Sequence, residues 1–330
     1  MNNKIEHSFS FDPYCGYTQE QLLAITPPDS EPSDFREFWT VKYHEVRSMP
    51  VEITVQRRIW SPNPAIEINE VYYRSWDGVV IGAWLSRPRD PKGAILLCHG
   101  YGNPVIPTFS EEFAVIAPCL RGLGMSKHPD IPWQSAEHVV YGIESRETYS
   151  LLGCAADLWM AASVLAELYP GLEKNLHYRG GSFGGGMGAL SVPWDPRIRS
   201  AYLNIPTFGH NPLRLRFESK GSGEVVRQYR MKHPECDAVL NYFDAATAAR
   251  YFNIPVLVSP ALFDPTVVPP GQFAIANAIP EQFRELYILP AGHYSVPENA
   301  PVQEKIEERI RAYALNQEPA PGIYCAESHK

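Results

Sequence analysis

The sequence predicts an α/β protein: a mostly parallel, doubly wound sheet with antiparallel strands on its N-terminal side. Two observations carry this. From Gly93 onward, short apolar runs end abruptly in Gly, Pro, Asp or His: "GAILLCHG", "EFAVIAPCLRG", "NLHYRGGS", "RSAYLNIP", "IPVLVSPALFD" and "ELYILPAGH". Runs that are apolar on successive residues suit strands buried on both faces, as in parallel sheets. Helical patterns lie between several of them, as parallel crossovers require.

The elements follow in order. "VEITVQRRIW" and "AIEINEVYYR" alternate apolar and polar residues, and "SWDG" before "VVIGAWLSRP" supplies an Asp-Gly hairpin turn. The clearest helix is "ESRETYSLLGCAADLWMAASVLAELYPG", where Leu151, Ala155, Leu158, Ala162 and Leu165 recur at helical spacing and Pro-Gly stops it. The stretch from Thr207 to Phe252 breaks the rhythm; it is long, charged and helical in pattern. It is expected to pass over the sheet edge and cap a pocket rather than form a second domain. Residues 1–330 are thus expected to form a single domain, with 207–252 as cap and 316–330 as a C-terminal tail. The 31 prolines cluster between apolar runs and mark defined loops.

Composition narrows the classes of partner. Of 330 residues, 45% are hydrophobic and 20% charged, an ordinary globular balance with apolar mass enough for a large core. A net charge of −8 and no basic stripe argue against nucleic acid or an anionic membrane as partner. The six cysteines (Cys15, Cys98, Cys119, Cys154, Cys236, Cys325) form no C-x-x-C pair and read as reduced, mostly buried thiols. The N-terminal residues show no apolar signal-peptide core, and no apolar run approaches the roughly 20 residues of a membrane span. The expectation is a soluble, cytoplasmic protein.

The stretch "YRGGSFGGGMGAL" places one serine among six glycines. Gly180 to Gly184 fits G-x-S-x-G, a pattern that chance produces in roughly one chain in ten of this length. Context strengthens it: "NLHYRG" before it reads as a buried strand and "GGMGALSV" after it as a helix. A serine at such a junction sits on a strained turn whose crowded backbone needs small neighbours. A phosphate cradle fits less well. The G-x-G-x-x-A from Gly184 would lie within the helix, no acidic residue ends a strand about 20 positions on, and there is no G-K-[ST].

A serine nucleophile needs a base and an orienting acid. In the α/β-hydrolase arrangement these follow in the order Ser, Asp, His, at strand ends. Asp264 ends "IPVLVSPALFD" and His293 ends "ELYILPAGH". Competitors fit less well. Asp195 and Asp244 follow no apolar strand; His99 and His177 precede the serine; His7 and His329 are terminal; and His44, His128, His138, His210 and His233 lie in helical or loop stretches. Taken singly, Asp264 also reads as a helix N-cap and His293 as a loop histidine. In this order and spacing the three read as a triad. The oxyanion hole is expected to use the backbone N–H of Phe183 and a donor from "LLCHGYGNP", with Tyr101 the natural choice; otherwise Tyr101 is an aromatic wall residue. No cofactor motif, no H-E-x-x-H and no Cys/His cluster is present, so no metal is implied.

Taken together, "FDPYCGYTQEQLLAITPPDSEPSDFREFW", "HGYG", "RGLGMS", "YGIESRETY", "GGSFGGG", "NIP", "YFDAATAARYFNIPVLVSPALFDPTVVPP" and "GH" resemble the family 7 carbohydrate esterases, the acetyl xylan esterase and cephalosporin C deacetylase group. The resemblance covers nearly the whole chain except the last 15 or so residues. It implies an α/β-hydrolase fold, Ser182, Asp264 and His293 as triad, and Tyr101 with Phe183 as oxyanion donors. It also implies a small acetylated substrate and a cytoplasmic homo-oligomer, typically a hexamer. Two positions depart from the family pattern: Leu123 stands where Arg-Gly-Gln-Gly has glutamine, and Tyr294 follows His293 where the family has glutamate. An enzyme of other acyl specificity, a peptidase or thioesterase, and a non-catalytic binding protein of the same fold are the alternative readings.

Overall fold

The computed structural model describes residues 5–102, 106–315 and 322–325. Nine strands follow the apolar and alternating runs: β1 (Ile53–Ile59), β2 (Ile66–Arg74), β3 (Val80–Pro88), β4 (Ala94–Cys98), β5 (Ala114–Pro118), β6 (Leu176–Gly181), β7 (Ile198–Asn204), β8 (Val256–Ser259) and β9 (Ala261–Phe263). A tenth, β10 (Arg284–Ala291), follows the last of these runs, and β11 (Gly322–Cys325) follows none of them. They form one sheet in the order β1-β2-β3-β5-β4-β6-β7-β8-β10-β11, with β9 beside β10. Pairings β1–β2, β2–β3 and β3–β5 are antiparallel, and from β5 to β11 every pairing is parallel.

Burial explains the sequence patterns. Strand β2 alternates between buried and less buried positions over most of its length, whereas β5 and β8 are buried at every residue. Successive side chains go to opposite cores: Val256, Val258, Leu286 and Ile288 join the larger one, while Leu257, Tyr287 and Leu289 join the smaller. The larger core lies under the helices Ser150–Leu168 and Phe183–Ser191; the smaller is covered by Asn299–Ala314, through Val302, Ile306, Ile310 and Tyr313.

Three details correct the sequence reading. The run "IPVLVSPALFD" is two strands, because Pro260, which has no N–H to donate, separates β8 from β9. Within the expected tail, Gly322–Cys325 is a strand paired in parallel with Glu285–Ile288; the rest of 316–330 lies outside the described residues. The helix Ser150–Leu168 is, by length and composition, apolar enough to cross a bilayer. Its residues 150–165 are all buried within the protein, and Asp157 in its middle is ion-paired with Arg121 (2.8 Å). It is a core helix.

Between β7 and β8 the chain runs through the short helices Asn211–Arg214, Ser222–Lys232, Asp237–Leu240 and Ala245–Ala249. Asp244 starts the last of these by accepting the Ala246 and Thr247 amides. That helix packs against both Phe183–Ser191 and Pro269–Ala278. The strand order reverses around β4 and β6, and open α/β sheets form their binding crevice at the carboxyl ends of strands at such a point.

Candidate active site

Ser182 sits where β6 turns into the helix Phe183–Ser191, with φ 54° and ψ −113°. This backbone conformation costs a non-glycine residue about 1–3 kcal/mol and is held only by its surroundings. The Ser182 N–H donates to the Asn204 carbonyl (2.8 Å), and the Ser182 carbonyl accepts from Gly186 (3.0 Å) and Thr207 (3.2 Å). The glycine after the turn is needed for space: a Cβ on Gly184 would stand 2.5 Å from the Cys98 carbonyl oxygen at the end of β4.

His293 follows β10, also at positive φ (47°), and reaches both partners. Its Nε2 lies 2.9 Å from Ser182 Oγ, and its Nδ1 lies 2.8 Å from Asp264 Oδ2 and 3.1 Å from Oδ1. Asp264 is fully buried and follows β9. Its Oδ1 accepts the Thr266 (2.8 Å) and Val267 (3.0 Å) amides, and its Oδ2 accepts Gln272 Nε2 (2.9 Å). The turn-capping role and the contact with His293 therefore coexist in one carboxylate. An ionised carboxylate only accepts, so Nδ1 of His293 carries the ring proton and Nε2 presents its lone pair to the serine hydroxyl. Gly292 makes this approach possible, since a Cβ there would stand 2.4 Å from Asp264 Oδ2.

The Tyr101 ring stacks on that of Phe183, centroids 3.8 Å apart and planes at 23°. Neither residue's backbone N–H has a protein acceptor among the described residues. The Tyr101 hydroxyl is turned away from them. It donates to His138 Nδ1 (2.8 Å), and His138 Nε2–H donates to the Arg121 carbonyl (3.0 Å). Burial pushes the His138 pKa down to about 4, which keeps the ring neutral in that one tautomer. His138 is thus the anchor of Tyr101. No sequence signal marked it, because its partners lie 17 and 37 residues away.

The two departures from the family pattern have structural places. Leu123 is 8% exposed and joins the larger core, while Arg121 beside it pairs with Asp77 (2.6 Å) as well as Asp157. The Tyr294 hydroxyl donates to the Glu6 carbonyl (3.0 Å), and its ring packs edge-on to Phe263 (5.2 Å). The Pro13 carbonyl accepts the Asp264 amide (3.2 Å), so the N-terminal segment is tied to residues next to both Asp264 and His293. A cavity of about 290 Å³ opens on His293, between Asn204 and Ile205 on one side and Tyr294–Pro297 on the other.

The competing residues serve the fold. Nε2 of His99 accepts the Leu120 amide and its Nδ1 donates to the Gly100 carbonyl. His177 bonds Ser200 and Asn175, and Asp195 pairs with Arg197.

Comparison with known proteins agrees with this architecture. The acetyl esterase Axe7A of Xylanibacter ruminicola is 22% identical over 300 residues, covering 84% of this chain and 66% of that protein. The chain thus spans about two thirds of the length of this relative. Two solved structures share the fold at 20% identity: an acetyl xylan esterase from Paenibacillus sp. R4 (TM-score 0.79, 90% of this chain and all of that one) and acetyl xylan esterase 1 from Thermoanaerobacterium sp. JW/SL YS485 (TM-score 0.77, 94% and all). With residues 17–306 matching the sequence pattern of the family on an α/β-hydrolase fold, this chain belongs to the acetyl xylan esterase family.

Proposed function

We propose that the protein is a serine esterase that hydrolyses small acyl esters, chiefly acetyl, of carbohydrates or related alcohols through an acyl-enzyme. The observation that carries this is the unbroken chain Ser182 Oγ–His293–Asp264, with both contacts at hydrogen-bond distance, in a chain of this family. His293 Nε2 takes the Ser182 proton as Oγ bonds to the ester carbonyl carbon. Asp264 fixes the tautomer and stabilises the imidazolium. The backbone amides of Phe183 and Tyr101 receive the oxyanion. The tetrahedral species collapses as His293 returns the proton to the departing alcohol. Water, deprotonated by the same base, then releases the acid and restores Ser182.

Family likeness supports action on acetylated xylo-oligosaccharides or an ester such as cephalosporin C, and assembly as a homo-oligomer. The five described cysteines are free thiols, in keeping with a reducing compartment such as the cytoplasm. The test is labelling by a fluorophosphonate together with turnover of p-nitrophenyl acetate. Both are expected in the wild-type protein and lost in Ser182→Ala; near-normal turnover in that variant overturns the proposal. Octanoyl esters hydrolysed as fast as acetyl esters would remove the acetyl preference, and faster turnover of amides or thioesters would favour a peptidase or thioesterase.

A further inference from the structure

A second cavity lies on the other side of the Asp264 turn. Arg214 ends the short helix Asn211–Arg214 and is 7% exposed. Its Nε donates to Asn211 Oδ1 (2.8 Å), and its guanidinium lies over the Phe208 ring, 5.8 Å from the centroid. Among the described residues its two terminal nitrogens make no hydrogen bond and no ion pair with protein. Asp244 acts on it through space, but both Asp244 oxygens are committed to backbone amides, those of His210, Asn211, Ala246 and Thr247. Burial pushes the guanidinium pKa down, yet an arginine stays protonated in a protein.

A buried charge with no ion-pair partner costs several kcal/mol and calls for a counter-charge. The cavity that Arg214 lines offers a place for one. Its other walls include Thr207, Ser219 and Thr266, whose hydroxyls have no protein partner among the described residues. The space between them is about 10 Å³, room for a single small sphere, which excludes polyatomic anions such as phosphate, sulfate and carboxylates. A water in it would satisfy hydrogen bonds but leave the charge uncompensated.

We propose that this cavity binds a single halide ion, held by Arg214 and the surrounding hydroxyls. The site adjoins the proposed catalytic residues. The amides of Thr266 and Val267 hold Asp264 Oδ1, and the Thr207 amide holds the Ser182 carbonyl. Anion occupancy thus braces the turn that carries Asp264. The site does not depend on the esterase reading.

The test uses the full-length protein in sodium gluconate at fixed ionic strength, replaced stepwise by chloride, bromide, acetate or sulfate while thermal unfolding is followed. A saturable rise in melting temperature is expected with chloride or bromide and none with acetate or sulfate. At 100 times the Kd it corresponds to about a 100-fold gain in the folded-to-unfolded ratio. The rise is expected to vanish in Arg214→Gln and Arg214→Met. Because either variant could fold poorly, wild-type crystals grown in sodium bromide supply a second measurement, an anomalous peak at the Arg214 terminal nitrogens. A response confined to the halides sustains the proposal, and an equal response to acetate or sulfate overturns it. Equal responses of wild type and variants to all four salts, or a bromide-free cavity in those crystals, overturns it.

Discussion

Asp264→Asn tests the proposed site most directly, because the structure dictates how the new amide must lie. The side chain is fully buried, and four donors converge on it. Oδ1 faces two fixed backbone amides, Thr266 and Val267. An NH2 group placed there would oppose both. Oδ2 faces Gln272 Nε2 and His293 Nδ1. Gln272 cannot turn over, since its Nε2 also donates to the Val267 carbonyl (2.6 Å) and its Oε1 accepts the Ala261 amide (2.9 Å). The imidazole can adapt by moving its proton to Nε2. The NH2 therefore takes the Oδ2 position, leaving one donor opposed, at a stability cost of about 1–3 kcal/mol. Nε2 then carries a hydrogen and cannot accept the serine proton. The expected loss in kcat on p-nitrophenyl acetate is about 10⁴, or about 5.5 kcal/mol, with KM little changed. Proton NMR of wild type and variant would show loss of the low-field His293 Nδ1–H signal. A variant that unfolds cooperatively and keeps kcat within tenfold of wild type would refute this reasoning.

Three further outcomes are expected. His138→Ala removes the anchor of Tyr101 without deleting a proposed oxyanion amide, so kcat should fall by up to about 10² at nearly constant KM, with Tyr101→Phe giving the same loss; unchanged kcat in both would remove the positioning role. Burial holds His138 and His177 near a pKa of about 4, below the unfolded value, so the unfolded chain binds protons first as pH falls. The contribution of these two is therefore complete above pH 6.5 and declines toward pH 4; at pH 5 each histidine accounts for about 2 kcal/mol, and His177→Gln should shrink the difference between urea melts at pH 7 and pH 5 by about that amount, an unchanged difference contradicting it. Gly184→Ala should cost about 3 kcal/mol or prevent folding, because its Cβ would meet the Cys98 carbonyl at 2.5 Å, while Gly181→Ala, whose nearest contact is 3.6 Å, should be tolerated; equal melting temperatures would contradict the crowding.

Strands β1 to β8 and β10 were legible because doubly buried strands must be apolar throughout and half-buried ones must alternate; β9 was merged with β8, since one apolar run spans both. Where such a run stops at a polar residue, that residue lies at the carboxyl edge of the sheet, which is how Ser182, Asp264 and His293 could be picked from a chain with ten histidines. The resemblance of quoted motifs added the acyl class, which spacing does not carry. Strand β11 was missed because it borrows its partner from Glu285–Ile288 and has little pattern of its own.

By itself, then, the sequence determined most of the sheet, its crossovers and the three residues at strand ends, because burial writes a periodic signal into neighbouring positions. Only the tertiary structure decided which carbonyl fixes the His138 tautomer, which segment Tyr294 ties down 288 residues away, and that Arg214 is buried without an ion pair among the described residues. Periodicity reports that a side chain leaves water; it does not report what the side chain meets, and hydrogen bonds and charges depend on that partner alone.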